Sequence, residues 1–277
     1  MINFNGKCFS GFKSVPEDLL RLLICLPVHT HHLLAFQGKI SLLEAHYFSI
    51  MAALRRSRVD IPMHYTLTFF QEQMDALYGG NDSQKAVQRI SLKFYRNQNP
   101  TIEAPISSLC FVMQTDPILL KHKDLELTLY KDHYVFANAY SNLFQSYESL
   151  RKLAQVYAYE NGFEAALLLN DHKRLVESTH GAVFLISEGK VKTPALAEGT
   201  VNCVLRTAFL DQLKKESEWE VIETEIPVFS IQQAEEMFLL SSEYGWVQIR
   251  QFRKKQFKYD QSILLQQKLW ESLARQL

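Results

Sequence analysis

An α+β fold in two domains is predicted by three features of this 277-residue sequence. Residues 1–114 alternate strand-like and helix-like patterns. A polar stretch with Pro117 and the run Lys121-His122-Lys123 follows at Thr115–Asp124. Beyond it, short apolar runs broken by turn residues crowd together at the density of a curved antiparallel sheet or barrel. The boundary is placed near 120, giving an N-terminal α+β domain over 1–120 and a C-terminal barrel-like domain over 121–277. With 47% hydrophobic residues, the chain has enough apolar material for a real core.

In order, a strand is expected near Ile2–Phe9, then two apolar runs around Gly38 that read as a hairpin, Leu33–Phe36 and Lys39–Leu42. From Leu43 to Arg58 apolar residues recur at helical spacing, and Pro62 lies beyond the end. Thr66–Leu77 is a second helix, closed by Tyr78-Gly79-Gly80, and Ala86–Tyr95 and Ser107–Gln114 read as strands. The second half opens with a strand at Leu125–Tyr130. A helix follows whose apolar residues Leu150, Leu153, Ala154, Tyr157 and Ala158 form one stripe, with Asn161-Gly162 as its stop. Strands at Ala165–Leu169, Val183–Ile186 and Val191–Pro194 come next. Then follow a helix over Val201–Lys214, strands at Trp219–Ile226, Met237–Leu240 and Trp246–Phe252, and a helix from Asp260.

Composition narrows the function. Thirty Lys and Arg balance thirty Asp and Glu, so no net field gathers nucleic acid or an anionic membrane. The first residues carry no basic stretch leading into an apolar run, and no apolar run spans a bilayer, so a cytoplasmic protein is expected. Cys8, Cys25, Cys110 and Cys203 are scattered without a C-x-x-C pair and read as buried thiols of a reducing compartment. His29, His31 and His32 are the densest set of potential metal ligands. On a strand His29 and His31 share a side, but two imidazoles do not make a tetrahedral site, so the sequence favours a polar strand face with no metal. The basic and aromatic run Arg250–Lys258 reads as a solvated strand-to-helix connection, and Gly79-Gly80 lacks the context of a phosphate loop.

A longer pattern lies in the second half. Glu160-Asn161-Gly162-Phe163-Glu164, the apolar run Ala165–Leu169 and Asn170 are followed, seven residues on, by Glu177-Ser178-Thr179 and Val183–Ile186. Gly189, Thr193-Pro194, Gly199 and Arg206 continue it at regular spacing. This order resembles the class IV aminotransferase family, which includes branched-chain aminotransferases, D-amino-acid aminotransferases and 4-amino-4-deoxychorismate lyases. Weaker similarity in Asn5-Gly6-Lys7, Gly38-Lys39-Ile40, Leu43–Tyr47 and Ala234–Leu239 extends over most of the chain, with the lyase-like bacterial members nearest in character.

The resemblance implies a small α/β sandwich domain followed by a pseudo-barrel domain, with pyridoxal 5'-phosphate held between them in a homodimer. That cofactor requires an amine for a Schiff base, an acid against its pyridine nitrogen and donors around its phosphate. By the resemblance Glu177 is the acid. The residues assigned to the cofactor's other groups are Ser49, Thr179, Val204, Leu205 and Ser242. Four departures stand out. The lysine position falls on Phe144, and no lysine lies within six residues of it. Lys152 sits on the polar flank of its helix. An expected His-x-x-Arg becomes His46-Tyr47-Phe48-Ser49, a phosphate-side glycine becomes Cys203, and an Arg-Tyr-Gly-Asp-Gly-type segment is replaced by Ile24–His32. The sequence thus predicts a catalytically degenerate family member, with the old cleft open to another small molecule. The alternative is an active lyase or aminotransferase acting on aminodeoxychorismate or an amino acid through another amine.

Overall fold

The computed structural model describes residues 1–20, 26–36, 39–78, 88–96, 109–117, 125–216 and 218–276. It divides into two compact units, one of Met1–Leu119 and Gln276–Leu277, the other of Leu120–Arg275.

The first unit is a six-stranded sheet with helices on it. Its strands are β1 (Ile2–Phe4), β2 (Lys7–Phe9), β3 (His29–Phe36), β4 (Lys39–Ile40), β5 (Gln88–Arg96) and β6 (Leu109–Pro117); its helices are α1 (Glu17–Leu20), α2 (Leu43–Arg56) and α3 (Leu67–Tyr78). The order is β2-β1-β6-β5-β3-β4, every pair antiparallel. The single strand expected over Ile2–Phe9 is two, because Asn5 and Gly6 both take positive φ and turn the chain back. The turn expected at Gly38 and the loop at Gly79-Gly80 lie outside the described residues. Alternate residues Leu33 and Ala35 of β3, Ile90, Leu92 and Phe94 of β5, and Phe111 and Met113 of β6 bury one sheet face. Ile50 and Leu54 of α2 and Phe70, Met74 and Leu77 of α3 cover it.

The second unit carries β7 (Leu125–Leu129), β8 (Ala165–Leu169), β9 (Leu175–Ser178), β10 (Ala182–Ser187), β11 (Lys190–Pro194), β12 (Glu220–Thr224), β13 (Glu236–Ser241), β14 (Gly245–Phe252) and β15 (Lys255–Gln256). Its helices are α4 (Glu148–Glu160), α5 (Val204–Lys215), α6 (Ser230–Gln233) and α7 (Asp260–Ala274). The path β12-β11-β10-β13-β14-β7-β8-β9 curls until its ends meet. Arg174 bridges Pro227, and the Leu175 N–H donates to the Ile226 carbonyl at 2.8 Å. The barrel is not purely antiparallel as the strand density suggested: β7 runs parallel to β8 and β14, and β11 parallel to β12. The β7–β8 connection carries α4, the crossover a parallel pair requires. Arg250–Lys258, expected as a solvated connection, forms the β14–β15 hairpin, and its Phe252 and Phe257 join the core.

Two details fix the frame. Gly181 between β9 and β10 has φ 147°, and a Cβ there would stand 2.4 Å from the Leu240 carbonyl oxygen, so only glycine lets this turn lie on β13. Glu236 of β13 is buried and caps α7, Oε1 accepting from the Gln261 N–H and Oε2 from the Ser262 N–H, both at 2.8 Å. Of the cysteines expected to be buried, Cys8 is exposed and Cys110 and Cys203 are half-buried, because β2 is an edge strand that leaves Cys8 uncovered. None of the described helices is long and apolar enough to cross a membrane.

The cap gives a stability prediction. Glu236→Ala strands two helix N–H groups in a buried setting and is expected to cost about 3 kcal/mol, since hydrogen bonds to a charged group contribute more than neutral ones. Glu236→Gln, with one acceptor oxygen, should fall between. Urea unfolding of the two variants checks this ordering.

Candidate functional site

The residues that the sequence singles out converge in the second unit around α4, β9 and the start of α5. Arg151, Ala154 and Ala158 are buried at i, i+3, i+7 on α4 and face β8 and β9. Leu153, expected in that stripe, is 48% exposed instead, because the helix is rotated to bring Arg151 under cover. On the partner strand the register shifts between Leu168 and Leu169, so that Glu177 stands opposite Leu168 and Leu175 opposite Leu169. Val176 is the extra residue, and the bulge turns Glu177 to the side of the sheet where Leu168 meets α4.

The consequence is a buried ion pair. Arg151 Nη1 donates to Glu177 Oε1 at 2.6 Å, with side-chain exposures of 7% and 1%. The other carboxylate oxygen, Oε2, accepts the Val201 N–H at 3.0 Å. The ring of Phe144 lies against the guanidinium, 4.6 Å from Cζ to the ring centroid. Phe144 is held there by its loop: the Asn142 side chain donates to the carbonyls of Leu196 and Thr200, and the Asn142 carbonyl accepts from the Asn202 N–H. Four segments thus meet at one ion pair.

The remaining predicted residues are placed as follows. The Thr179 hydroxyl donates to Gln155 Oε1 at 2.6 Å and accepts the Ala166 N–H at 3.2 Å. Val204 and Leu205 are buried and form the first residues of α5, whose N-cap Cys203 makes no side-chain cap hydrogen bond. The Cys203 S–H donates to the Leu240 carbonyl at 3.8 Å, and burial pushes its thiol above the ordinary range. Ser242 is half-buried in the turn after β13. Ser49 lies half-buried on α2, in the first unit. Lys152 is 74% exposed and pairs with Glu148 one turn away. Sequence reasoning missed Arg151; its signal was the i, i+3, i+7 spacing with Ala154 and Ala158, which puts an arginine in line with buried alanines.

These contacts decide whether pyridoxal phosphate fits. The carboxylate that would face a pyridine nitrogen has both oxygens engaged, one by a guanidinium and one by an amide. The ring of Phe144, the residue that the resemblance sets at the amine position, lies against that guanidinium. The residues present do not fit the cofactor.

In the first unit, His29 and His31 are not the polar strand face that the sequence favoured: both are buried, continuing the Leu33 and Ala35 row of β3 toward α2. His31 Nε2 and His46 Nδ1 are 2.8 Å apart, a hydrogen bond that needs one N–H and one bare lone pair. Burial, then the neighbouring histidines, holds the His31 pKa well below its ordinary value, and burial lowers His46 to about 3. His32 points to the other face, bonded to Ser91 Oγ at 3.2 Å, and burial with Arg89 and Lys93 lowers it to about 3. Among the described residues no group of three His, Cys, Asp or Glu side chains could hold a metal ion.

Known proteins share this arrangement of strands and helices. The family model for amino-transferase class IV matches residues 32–252. A branched-chain-amino-acid aminotransferase of Aquifex aeolicus is 34% identical over 87 residues, 31% of this chain and 28% of that protein, so the matched segment spans under a third of the relative. A branched-chain aminotransferase structure from Thermobaculum terrenum superposes with TM-score 0.83 at 16% identity, covering 100% of this chain and 94% of that one. A structure named as a 4-amino-4-deoxychorismate lyase from Legionella pneumophila gives TM-score 0.76 at 18% identity, covering 90% and 91%. At these identities the structural likenesses show the fold.

Two predictions follow from the geometry. Arg151→Leu leaves Glu177 charged and buried and should cost about 3–5 kcal/mol, whereas the double change Arg151→Met with Glu177→Met should recover most of it. Chemical denaturation of both proteins checks this, and a double variant no better than the single would refute the pairing. For the histidines, the folded unit keeps His31 and His46 neutral while the unfolded chain protonates them near pH 6.5. Their contribution is complete above about pH 6.5 and lost as pH falls toward 3, at about 1.4 kcal/mol per histidine per pH unit. His46→Asn should flatten the slope of unfolding free energy between pH 6.5 and 4.5; an unchanged slope would refute the assignment.

Proposed function

We propose that this chain, which belongs to the class IV aminotransferase family, is a catalytically degenerate member, lyase-like in its frame and without Schiff-base chemistry. The observation that carries this reading is the buried pairing of Glu177 with Arg151. In a pyridoxal-phosphate enzyme a carboxylate at that place keeps the ring nitrogen protonated and turns the ring into an electron sink. Here the same carboxylate is neutralised by Arg151 from within the chain, at 2.6 Å. A carboxylate whose charge is already matched favours a protonated ring nitrogen less than an unpaired one would.

The described residues supply no suitable amine either. No lysine among the described residues is buried. A catalytic imine needs an amine that is both desolvated, to lower its pKa, and aimed at the aldehyde. Lys152, the nearest in sequence to Phe144 on its C-terminal side, points to solvent with Glu148 as its partner. An active lyase or aminotransferase acting on aminodeoxychorismate or an amino acid would require a lysine in that condition.

The expected outcome is that pyridoxal phosphate added to the pure protein and reduced with borohydride labels surface lysines in scattered, substoichiometric fashion, as read by mass spectrometry of the digest. A stoichiometric adduct on one lysine overturns the reading. Phe144→Lys combined with Arg151→Asn, which restores an amine and frees Glu177, should gain visible absorbance on adding the cofactor.

A further inference from the structure

Arg151 spends only one of its nitrogens on Glu177. Its Nε and Nη2 atoms are buried and have no hydrogen-bond partner among the described residues, although the side chain is 7% exposed. The Thr200 hydroxyl, on a residue with 0% exposure, is likewise without a partner. Thr200 immediately precedes Val201, whose amide binds the far oxygen of Glu177. Three donors around one ion pair are therefore left unmatched, and unmatched buried donors are costly enough to be rare.

We infer that this edge of Arg151, with Thr200, binds a small organic carboxylate. Nε–H and Nη2–H project side by side in the guanidinium plane, a fork whose spacing matches the two oxygens of a carboxylate or two oxygens of a phosphate. The remaining geometry selects between them. Phe144 lies on the face of the guanidinium, so the ligand meets the fork in the plane, as a flat carboxylate does. Glu177 already pairs with the arginine, so a singly charged carboxylate leaves less unmatched charge beside it than the two charges of a phosphate ester. The first turn of α5, beginning at Val204 three residues beyond Val201, adds the positive end of a helix dipole from the same loop.

The inference takes from the preceding reading only that Arg151, rather than a cofactor, holds Glu177. The two fail separately: a stoichiometric lysine adduct overturns that reading, and the following result overturns this one. The full-length protein is titrated with sodium acetate, with sodium chloride and inorganic phosphate at matched ionic strength as comparators. The arginine Nε–H resonance absent from Arg151→Lys is followed by nitrogen-edited NMR. Acetate is expected to shift it saturably and to raise the melting temperature, chloride to do neither, and phosphate to act more weakly. Arg151→Lys keeps the charge but loses the fork and should weaken acetate at least tenfold; Thr200→Val, isosteric and uncharged, should weaken it several-fold. An Nε–H resonance indifferent to acetate assigns the three donors to trapped water and overturns the inference. So does phosphate binding more tightly than acetate, or an acetate response that survives in both variants. If Arg151→Lys does not fold, the wild-type titration and Thr200→Val decide the matter.

Discussion

A guanidinium and a carboxylate buried against each other are the constraint on which the second unit is arranged. Neither charge can be taken out of water alone, so α4 must lie at the rotation that brings Arg151 to Glu177, whatever this exposes elsewhere. It exposes Leu153, which the apolar stripe alone would have buried. The same carboxylate fixes the 196–202 loop through Val201, and Asn142 ties the Phe144 loop to it. An ion pair of this kind adds little net stability relative to an apolar pair of equal volume; its effect is to admit one arrangement of four segments and to penalise the rest.

The rest of the unit is held by ordinary burial. β8, β10 and β13 are apolar on both faces because the barrel has a packed interior and a cover of helices outside, so their sequences read as continuous runs rather than alternations. Phe209 of α5 packs edge-on against Phe184, Phe238 and Trp246, with centroids in the cluster 4.0–5.7 Å apart. A frame of this sort tolerates change at the few positions that would carry chemistry. The fold is shared with a branched-chain aminotransferase structure at TM-score 0.83 although only 16% of residues are identical. A fold of this kind is spread over many apolar contacts, whereas chemistry rests on a few polar groups, so the one does not fix the other.

The first unit shows polar side chains used as core. His29, His31 and His46 take positions in the interior between β3 and α2, where they hydrogen-bond or pack on one another, His31 and His46 as neutral rings. Imidazole serves this purpose at neutral pH because it can be an uncharged donor and acceptor at once. The arrangement is one that acid must disturb, since a second proton at the His31–His46 contact has no lone pair to face.

The sequence by itself determined the two-domain α+β plan, most of the helices and strands, the absence of a lysine around Phe144 and the identity of Glu177 as the acid worth following. Those properties are local: periodicity, turn residues and spacing act within a few residues of one another. Tertiary structure alone decided what Glu177 does. Arg151 is 26 residues away, and its approach depends on a one-residue shift in the β8–β9 register that no alternation pattern records. It also decided that β9 exists as a strand, that β7 and β11 take parallel neighbours, and that three histidines are core rather than surface. Each of these is a matter of which distant segment covers a residue, and burial, not the residue's own type, then sets its partner, its charge and its role.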